Sequence, residues 1–132
     1  MTTPKEIPAS HIDLLERPLI GALATTLPDG TPQVTPVWFS FEGGMIYVNT
    51  AVGRLKDKAV RARPYLALMV VDPGNPYRYL QVRGPVVEMN EEEGAAHINA
   101  LSHRYTGNDY DLPAGQQRVR YAIAPERVDA HG

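Results

Sequence analysis

Cysteine is absent from the 132 residues, which excludes disulfides, thiol nucleophiles and every zinc or iron–sulfur site built on thiolates. Long apolar runs are missing too. Stretches such as Ala67 to Val71 fall far short of the roughly 20 residues that a membrane-spanning helix needs. The opening MTTPKEIPASH has no basic leader followed by an apolar core, so no secretory signal is read there and a cytoplasmic protein is expected. Nor does one sign of charge dominate: thirteen Lys and Arg stand against fifteen Asp and Glu, a net charge of -2, which argues against nucleic acid as a partner. What is present is ordinary globular material, 43% hydrophobic and 21% charged. That is enough apolar surface to offset chain entropy in a single domain over residues 1–132.

Catalytic constellations are equally sparse. There is no G-x-S-x-G, and Ser10, Ser40 and Ser102 have no local partner pattern for nucleophilic catalysis. His11, His97, His103 and His131 contain no i, i+4 pair, and His97 and His103, six apart, point to different sides of their helix, so no metal site is expected. Glu91, Glu92 and Glu93 read as a solvated helix start.

Ser10 followed three residues later by Asp13 has the form of a capping box, so a short helix is expected over 10–16. Arg17 precedes Pro18, which disfavours helical geometry, and the β-capable run from Leu19 to Leu27 reads as a strand. Pro28-Asp29-Gly30-Thr31 supplies a preset φ and a glycine for positive φ, hence a reversal into a second strand from Gln33 to Phe41. There Val34, Pro36, Trp38 and Ser40 share one face, and Gln33, Thr35, Val37, Phe39 and Phe41 the other. Pro36 has no N–H to give a ladder and requires an edge or a bulge. Glu42-Gly43-Gly44 turns into a third strand, Met45 to Thr50, and the three form a meander.

Gly53 opens RLKDKAVRAR, where Leu55, Ala59 and Ala62 line one side of a helix stopped by Pro64. Tyr65 to Val71 is a fourth strand, 72–76 a turn-rich loop, and Tyr77 to Met89 a long fifth strand with a bulge at Gly84. Asn90 and Glu93 start a helix that runs to Tyr105 and is closed by Gly107. After a polar loop at 107–117, Val119, Tyr121 and Ile123 alternate in a last strand, and the tail beyond Pro125 is a strand extension or a frayed end. This order fits a mainly antiparallel barrel of about six strands with short flanking helices, not a doubly wound parallel sheet.

The positive signal is a cationic segment. Residues 54–63 hold Arg54, Lys56, Lys58, Arg61 and Arg63, with only Asp57 opposing them. Arg54 and Lys56 fall in the first turn of the expected helix, where open backbone N–H groups and the positive end of the dipole already favour an anion. Gly53 suits a close backbone approach, Thr50 supplies a hydroxyl and Asn49 an amide. A solvated basic helix is the plain alternative. Basic residues at a helix start oppose its dipole unless something anionic binds, which tips the reading toward a ligand by a few tenths of a kcal/mol. Trp38, the only tryptophan, and Tyr77 with Tyr79 offer planar surfaces nearby, besides their ordinary role in packing.

Taken in order, IGALATTLPDGTPQVTPVWF at 20–39, MIYVNTAVGRLKDKAVRARPYLAL at 45–68, NPYRYLQVRGPV at 75–86, HINALSHRYTG at 97–107 and YAIAPERV at 121–128 resemble one family. It is the pyridoxamine-phosphate-oxidase-like split-barrel proteins, and within them the B group of flavin/deazaflavin oxidoreductases. The resemblance implies a split β-barrel and a homodimer with its cofactor at the subunit interface. It implies a cofactor phosphate held by Gly53, Arg54 and Lys56, a ring system faced by Gln33, Val34, Thr35, Pro36, Val37 and Trp38, and a strand end, Asn49 and Thr50, flanking both. Lys58 lies where the family often has a further basic residue that meets an acidic tail, and Tyr77, Arg78 and Tyr79 fall where the partner subunit tends to contribute. Lys58-Ala59-Val60 replaces the family's common Arg-Asn-Leu, which removes any polar role at position 59.

The family uses FMN or the deazaflavin coenzyme F420, whose arm carries a phosphodiester and an oligoglutamate tail. Up to five cations in ten residues suit that extended polyanion better than a single phosphate. The expectation is therefore an F420H2-dependent oxidoreductase that passes a hydride to a small conjugated acceptor, such as a biliverdin-like tetrapyrrole, a quinone or a nitroaromatic. Such transfer requires no catalytic side chain; a proton could come from solvent, Tyr79 or Arg78. The alternatives are an FMN-binding oxidase or flavin reductase on the same barrel, and a non-enzymatic carrier of a flavin or haem-like ligand.

Overall fold

The computed structural model describes residues 4–132, in the order α1 (Asp13–Glu16), β1 (Gly21–Thr26), β2 (Pro32–Val37), β3 (Ser40–Glu42), β4 (Met45–Ala51), α2 (Leu55–Ala62), β5 (Tyr65–Asp72), β6 (Asn75–Asn90), α3 (Gly94–Thr106), β7 (Arg118–Ile123) and β8 (Arg127–His131). Every strand pairing is antiparallel, in the order β2-β1-β5-β6-β7-β4-β3, with β8 added along β6. Among the described residues no helix is long and apolar enough to cross a membrane.

β2 and β3 lie at opposite ends of that order, yet only Trp38 and Phe39 separate them. Three Cα steps span at most about 11 Å, so the sheet must curl until its two edges nearly meet. The result is a split β-barrel. The expected single strand from Gln33 to Phe41 is thereby corrected to two, and the expected meander to two separate hairpins, β1–β2 and β3–β4. Pro36 sits on the edge strand β2, opposite Ala22, so its missing N–H leaves no gap in the ladder.

β6 holds the two halves together. Its residues from Asn75 to Pro85 pair with β5, while Val86 to Asn90 pair with β7 after a register shift between Val86 and Glu88. The irregularity lies a little beyond Gly84, where the sequence places it. Gly84 serves another purpose, since the β7–β8 link crosses directly over it and a Cβ there would collide with the carbonyl oxygen of Ala124. The tail beyond Pro125 is strand β8, which brings the count among the described residues to eight strands.

The helices start later than their capping signals. α1 begins at Asp13 with no side-chain cap, and Ser10 Oγ bonds instead to His11 Nδ1 at 2.8 Å. Asn90 Oδ1 does accept the Glu93 N–H at 3.0 Å, but α3 begins only at Gly94; Gly107, at φ 79°, closes it as expected. Inside the barrel Leu23, Phe39, Ile46, Val48, Leu66, Leu68, Leu80, Val119, Tyr121 and Ile123 form one core with α1's Leu14 and Leu15.

A cationic cleft at the mouth of the barrel

α2 packs with a phase the sequence pattern misses. Leu55 is 51% exposed and Ala62 also faces out, while Asp57, Ala59 and Val60 turn inward. Asp57 is the reason. Its carboxylate accepts the Gly53 N–H at 2.8 Å and Arg61 Nε at 2.8 Å, and it takes the Tyr121 hydroxyl from the barrel wall. Burial alone would raise the Asp57 carboxyl, but the Gly53 N–H, Tyr121 and Arg61 outweigh it and hold the group below the usual aspartate value. The acid set among the cations is thus committed to fixing the turn before α2. Gly53 can adopt φ 90° there without a side-chain penalty, and its N–H belongs to that turn rather than being open to a ligand.

Two of the five segment cations also serve the fold: Arg61 pairs with Asp57 and Glu91, and Arg63 donates to the carbonyls of Leu27 and Pro28. Arg54, Lys56 and Lys58 have no ion pair among the described residues. Arg54 and Lys56 line a cleft of about 220 Å³ with Pro36, Val37, Trp38, Asn49, Thr50, Ile98, Leu101, Tyr110 and Arg118. Lys58 points to solvent on α2's outer side.

Arg118 is the residue that sequence reasoning misses. It heads β7 opposite Ala51, which brings it from the end of a distant polar loop to the start of the cationic turn. It is 5% exposed and meets no carboxylate: its Nε donates to Asn49 Oδ1 at 2.9 Å, its Nη1 to Gln116 Oε1 at 3.1 Å, and its guanidinium lies 5.4 Å from the centre of the Tyr110 ring. Burial, and then the positive charges of Arg54 and Arg118, press the Lys56 ammonium below its usual value; burial and Arg54 likewise press on Arg118, with Tyr110 acting the other way. Three cations thus share a cleft that, among the described residues, no acid neutralises. An anion placed among them would relieve that cost.

An apolar wall continues from the charged end. Pro36, Val37 and Trp38 also line an adjoining hollow that reaches Ile20, and from there an open face of Ala22, Val34, Met69 and Val71 runs over β2, β1 and β5. Trp38 is held by stacking on Tyr105, ring centres 5.3 Å apart, and the Tyr105 hydroxyl is itself pinned to Leu19 O at 2.6 Å. Of the remaining candidates, Gln33 and Thr35 face inward along β2, half-buried and away from the cleft, and Val34 belongs to the open apolar face. Tyr77 is 84% exposed, and Tyr79 stacks on His131. The Arg78 guanidinium is bound within the chain by Asp13 at 2.5 Å, Asp72 at 3.0 Å and Ser10 O at 2.6 Å. A roomier hollow of about 430 Å³ lies by Ile7, Ile12, Phe41 and the Gly43-Gly44 turn; its lining holds one lysine and one glutamate, so it lacks the unbalanced charge of the cleft.

A curled antiparallel sheet whose edge strands β2 and β3 are brought together, carrying a cationic cleft at its mouth, defines a split-barrel protein with a site suited to an anion. The chain belongs to the pyridoxamine 5'-phosphate oxidase family, whose model matches residues 7–132. Among solved structures it is similar to an F420 reductase at 40% identity over 93% of this chain and 98% of that one, with a TM-score of 0.85. A conserved hypothetical protein from Mycobacterium tuberculosis is 24% identical over 99% and 88%, TM-score 0.77, and HupZ from Group A Streptococcus is 16% identical over 95% and 94%, TM-score 0.69. These last two share the fold. Among curated proteins, none matches the chain.

Proposed function

We propose that the protein is an F420H2-dependent reductase. The observation that carries this reading is the convergence of Arg54, Lys56 and Arg118 on a cleft with no carboxylate in its lining among the described residues. The donor set fits the cofactor's phosphodiester: two guanidiniums, one ammonium and Thr50 line one small volume beside the start of α2. Lys58, exposed on the outer side of α2, is a further cation that an acidic tail would meet favourably. The likeness to an F420 reductase over nearly the whole of both chains supports the same choice over FMN.

When bound, the reduced deazaflavin supplies a hydride. The chain's own residues hold and shield. Pro36, Val37 and Trp38 give a flat apolar wall against which a ring can lie, and the Trp38–Tyr105 stack keeps that wall rigid. No group in the cleft has the paired acid–base geometry of a proton-transfer enzyme, in keeping with a reaction in which positioning and water exclusion do the catalysis. We assign the acceptor to the class of small conjugated molecules, since it must lie flat beside a ring on an apolar wall.

The open apolar face beside that wall leaves Ile20 at 55%, Val34 at 68%, Met69 at 38% and Val71 at 37% exposed in one protomer. Contiguous apolar surface of this kind marks an interaction site, and we assign it to a second copy of the chain, which would close the cofactor groove from the far side. Titrating the protein separately with F420 and FMN while following Trp38 fluorescence tests the cofactor. Tight F420 binding that weakens by a few kcal/mol in the Arg54→Ala/Lys56→Ala variant supports the reading; tight FMN binding without response to F420 overturns it. Single-turnover oxidation of bound F420H2 by a quinone and nitroaromatic panel separates an enzyme from a carrier.

A further inference from the structure

Behind the cleft, a line of hydrogen bonds runs from Arg118 through Asn49 to His97 and Ser40, crossing from β7 and β4 to α3 and β3. The two fixed partners of Asn49, Arg118 and the Gly94 carbonyl, set its amide and with it the His97 tautomer. Arg118 Nε can only donate, so the Asn49 atom 2.9 Å away is an oxygen. The Gly94 carbonyl can only accept, so the Asn49 atom 2.9 Å from it is the NH2. The same NH2 lies 3.1 Å from His97 Nδ1, which must then be the bare ring nitrogen, and the ring's proton sits on Nε2 and is donated to Ser40 Oγ at 3.0 Å. The approach of α3 that makes this possible depends on Gly94, where a Cβ would collide with Arg118 O.

We propose that His97, as the neutral tautomer with bare Nδ1, is a positioning residue for the anion cleft: through the Asn49 amide it fixes the direction of the Arg118 guanidinium. Turning the Asn49 amide over would set its oxygen against the Gly94 carbonyl and its NH2 against Arg118 Nε, two mismatches at once. Only an acceptor at His97 Nδ1 completes the satisfied arrangement. The surroundings keep the ring uncharged: burial first, then the Arg120 guanidinium, pull its pKa down to about 4. Tyr47 meets its edge, Arg120 is turned toward Glu88, and no carboxylate bonds to the imidazole among the described residues. The identity of the anion rests on the F420 reading; the hydrogen-bonded line does not.

The test compares the wild-type chain with His97→Leu and with His97→Asn, whose side-chain oxygen can take the place of Nδ1. Binding of F420 is measured in each, and again in an Arg118→Ala background. The Arg118 Nε–H resonance is followed in 15N-edited spectra of the cofactor-free protein. His97→Leu is expected to move or broaden that resonance and to weaken F420 binding roughly tenfold, one charge-assisted contact's worth. His97→Asn restores both to about the wild-type level, and in the Arg118→Ala background His97→Leu costs nothing further. An unmoved Arg118 resonance in His97→Leu, or the same loss of affinity with Arg118 already removed, overturns the proposal. If the wild-type protein ignores F420, the functional reading falls, and inorganic pyrophosphate becomes the probe. It should perturb the Arg118 resonance in wild type and His97→Asn but not in His97→Leu, and an equal response in all three overturns the role of His97.

Discussion

Asp57 shows how one side chain decides whether a basic stretch becomes a site. Read along the chain, it is a partial neutraliser of its five neighbours. In the fold it faces the core at 2% exposure and is taken up by Gly53, Arg61 and Tyr121. Replacing it by Asn keeps the shape and removes the charge, leaving Arg61 with Glu91 alone and one of the donors poorly served. Asp57→Asn is expected to lose about 2–4 kcal/mol of stability in urea unfolding and to weaken phosphate binding through the loosened turn at 52–54. Arg118 marks the limit of what is legible at this scale. Arg54 and Lys56 are visible because they share one short segment, whereas Arg118 is 62 positions beyond Lys56 in a stretch with no pattern of its own. Only the pairing of Ala51 with Arg118 joins them.

Elements are readable where the signal is local and hidden where a partner decides. The turn between β1 and β2 follows from Pro28, Asp29 and Gly30, and Asp29 does receive the Thr31 N–H at 3.0 Å. The break between β2 and β3 has no such mark: Val37, Trp38 and Phe39 all favour a strand, and it is the opposite destinations of the two halves that part them. α2's inward face escapes the pattern for a similar reason, since a buried aspartate does not register as apolar periodicity. Gly84 belongs here too. Gly84→Ala must push the Ala124 carbonyl aside and is expected to cost several kcal/mol or abolish folding. Gly30→Ala, at φ 89° with open space around it, should cost only about 1 kcal/mol. Thermal melts of the two variants side by side check the contrast.

For the whole molecule, two responses follow. Charging the open apolar face with Val34→Glu and Met69→Glu should shift the protein from dimer to monomer in size-exclusion chromatography and weaken F420 binding at least tenfold, if a second copy closes the groove. Acid should destabilise the chain earlier than its carboxylates alone would. Unfolded His97 titrates near its ordinary 6.5 and folded His97 near about 4, so between those values the unfolded state takes up the extra proton and stability falls as pH falls. The loss is at most about 3.5 kcal/mol, and His97→Asn should flatten the stability curve over that window in urea titrations at pH 7, 6, 5 and 4. The sharing of β6 between both halves of the barrel has a last consequence. Neither half has a hydrogen-bonded boundary of its own, so peeling one away strips the ladder from the other. Amide protons from Leu80 to Arg83, paired with β5 on one side and β8 on the other, should exchange with solvent only in global, all-or-none opening, and the cationic cleft, hung on strands that stand or fall with β6, is either wholly formed or wholly lost.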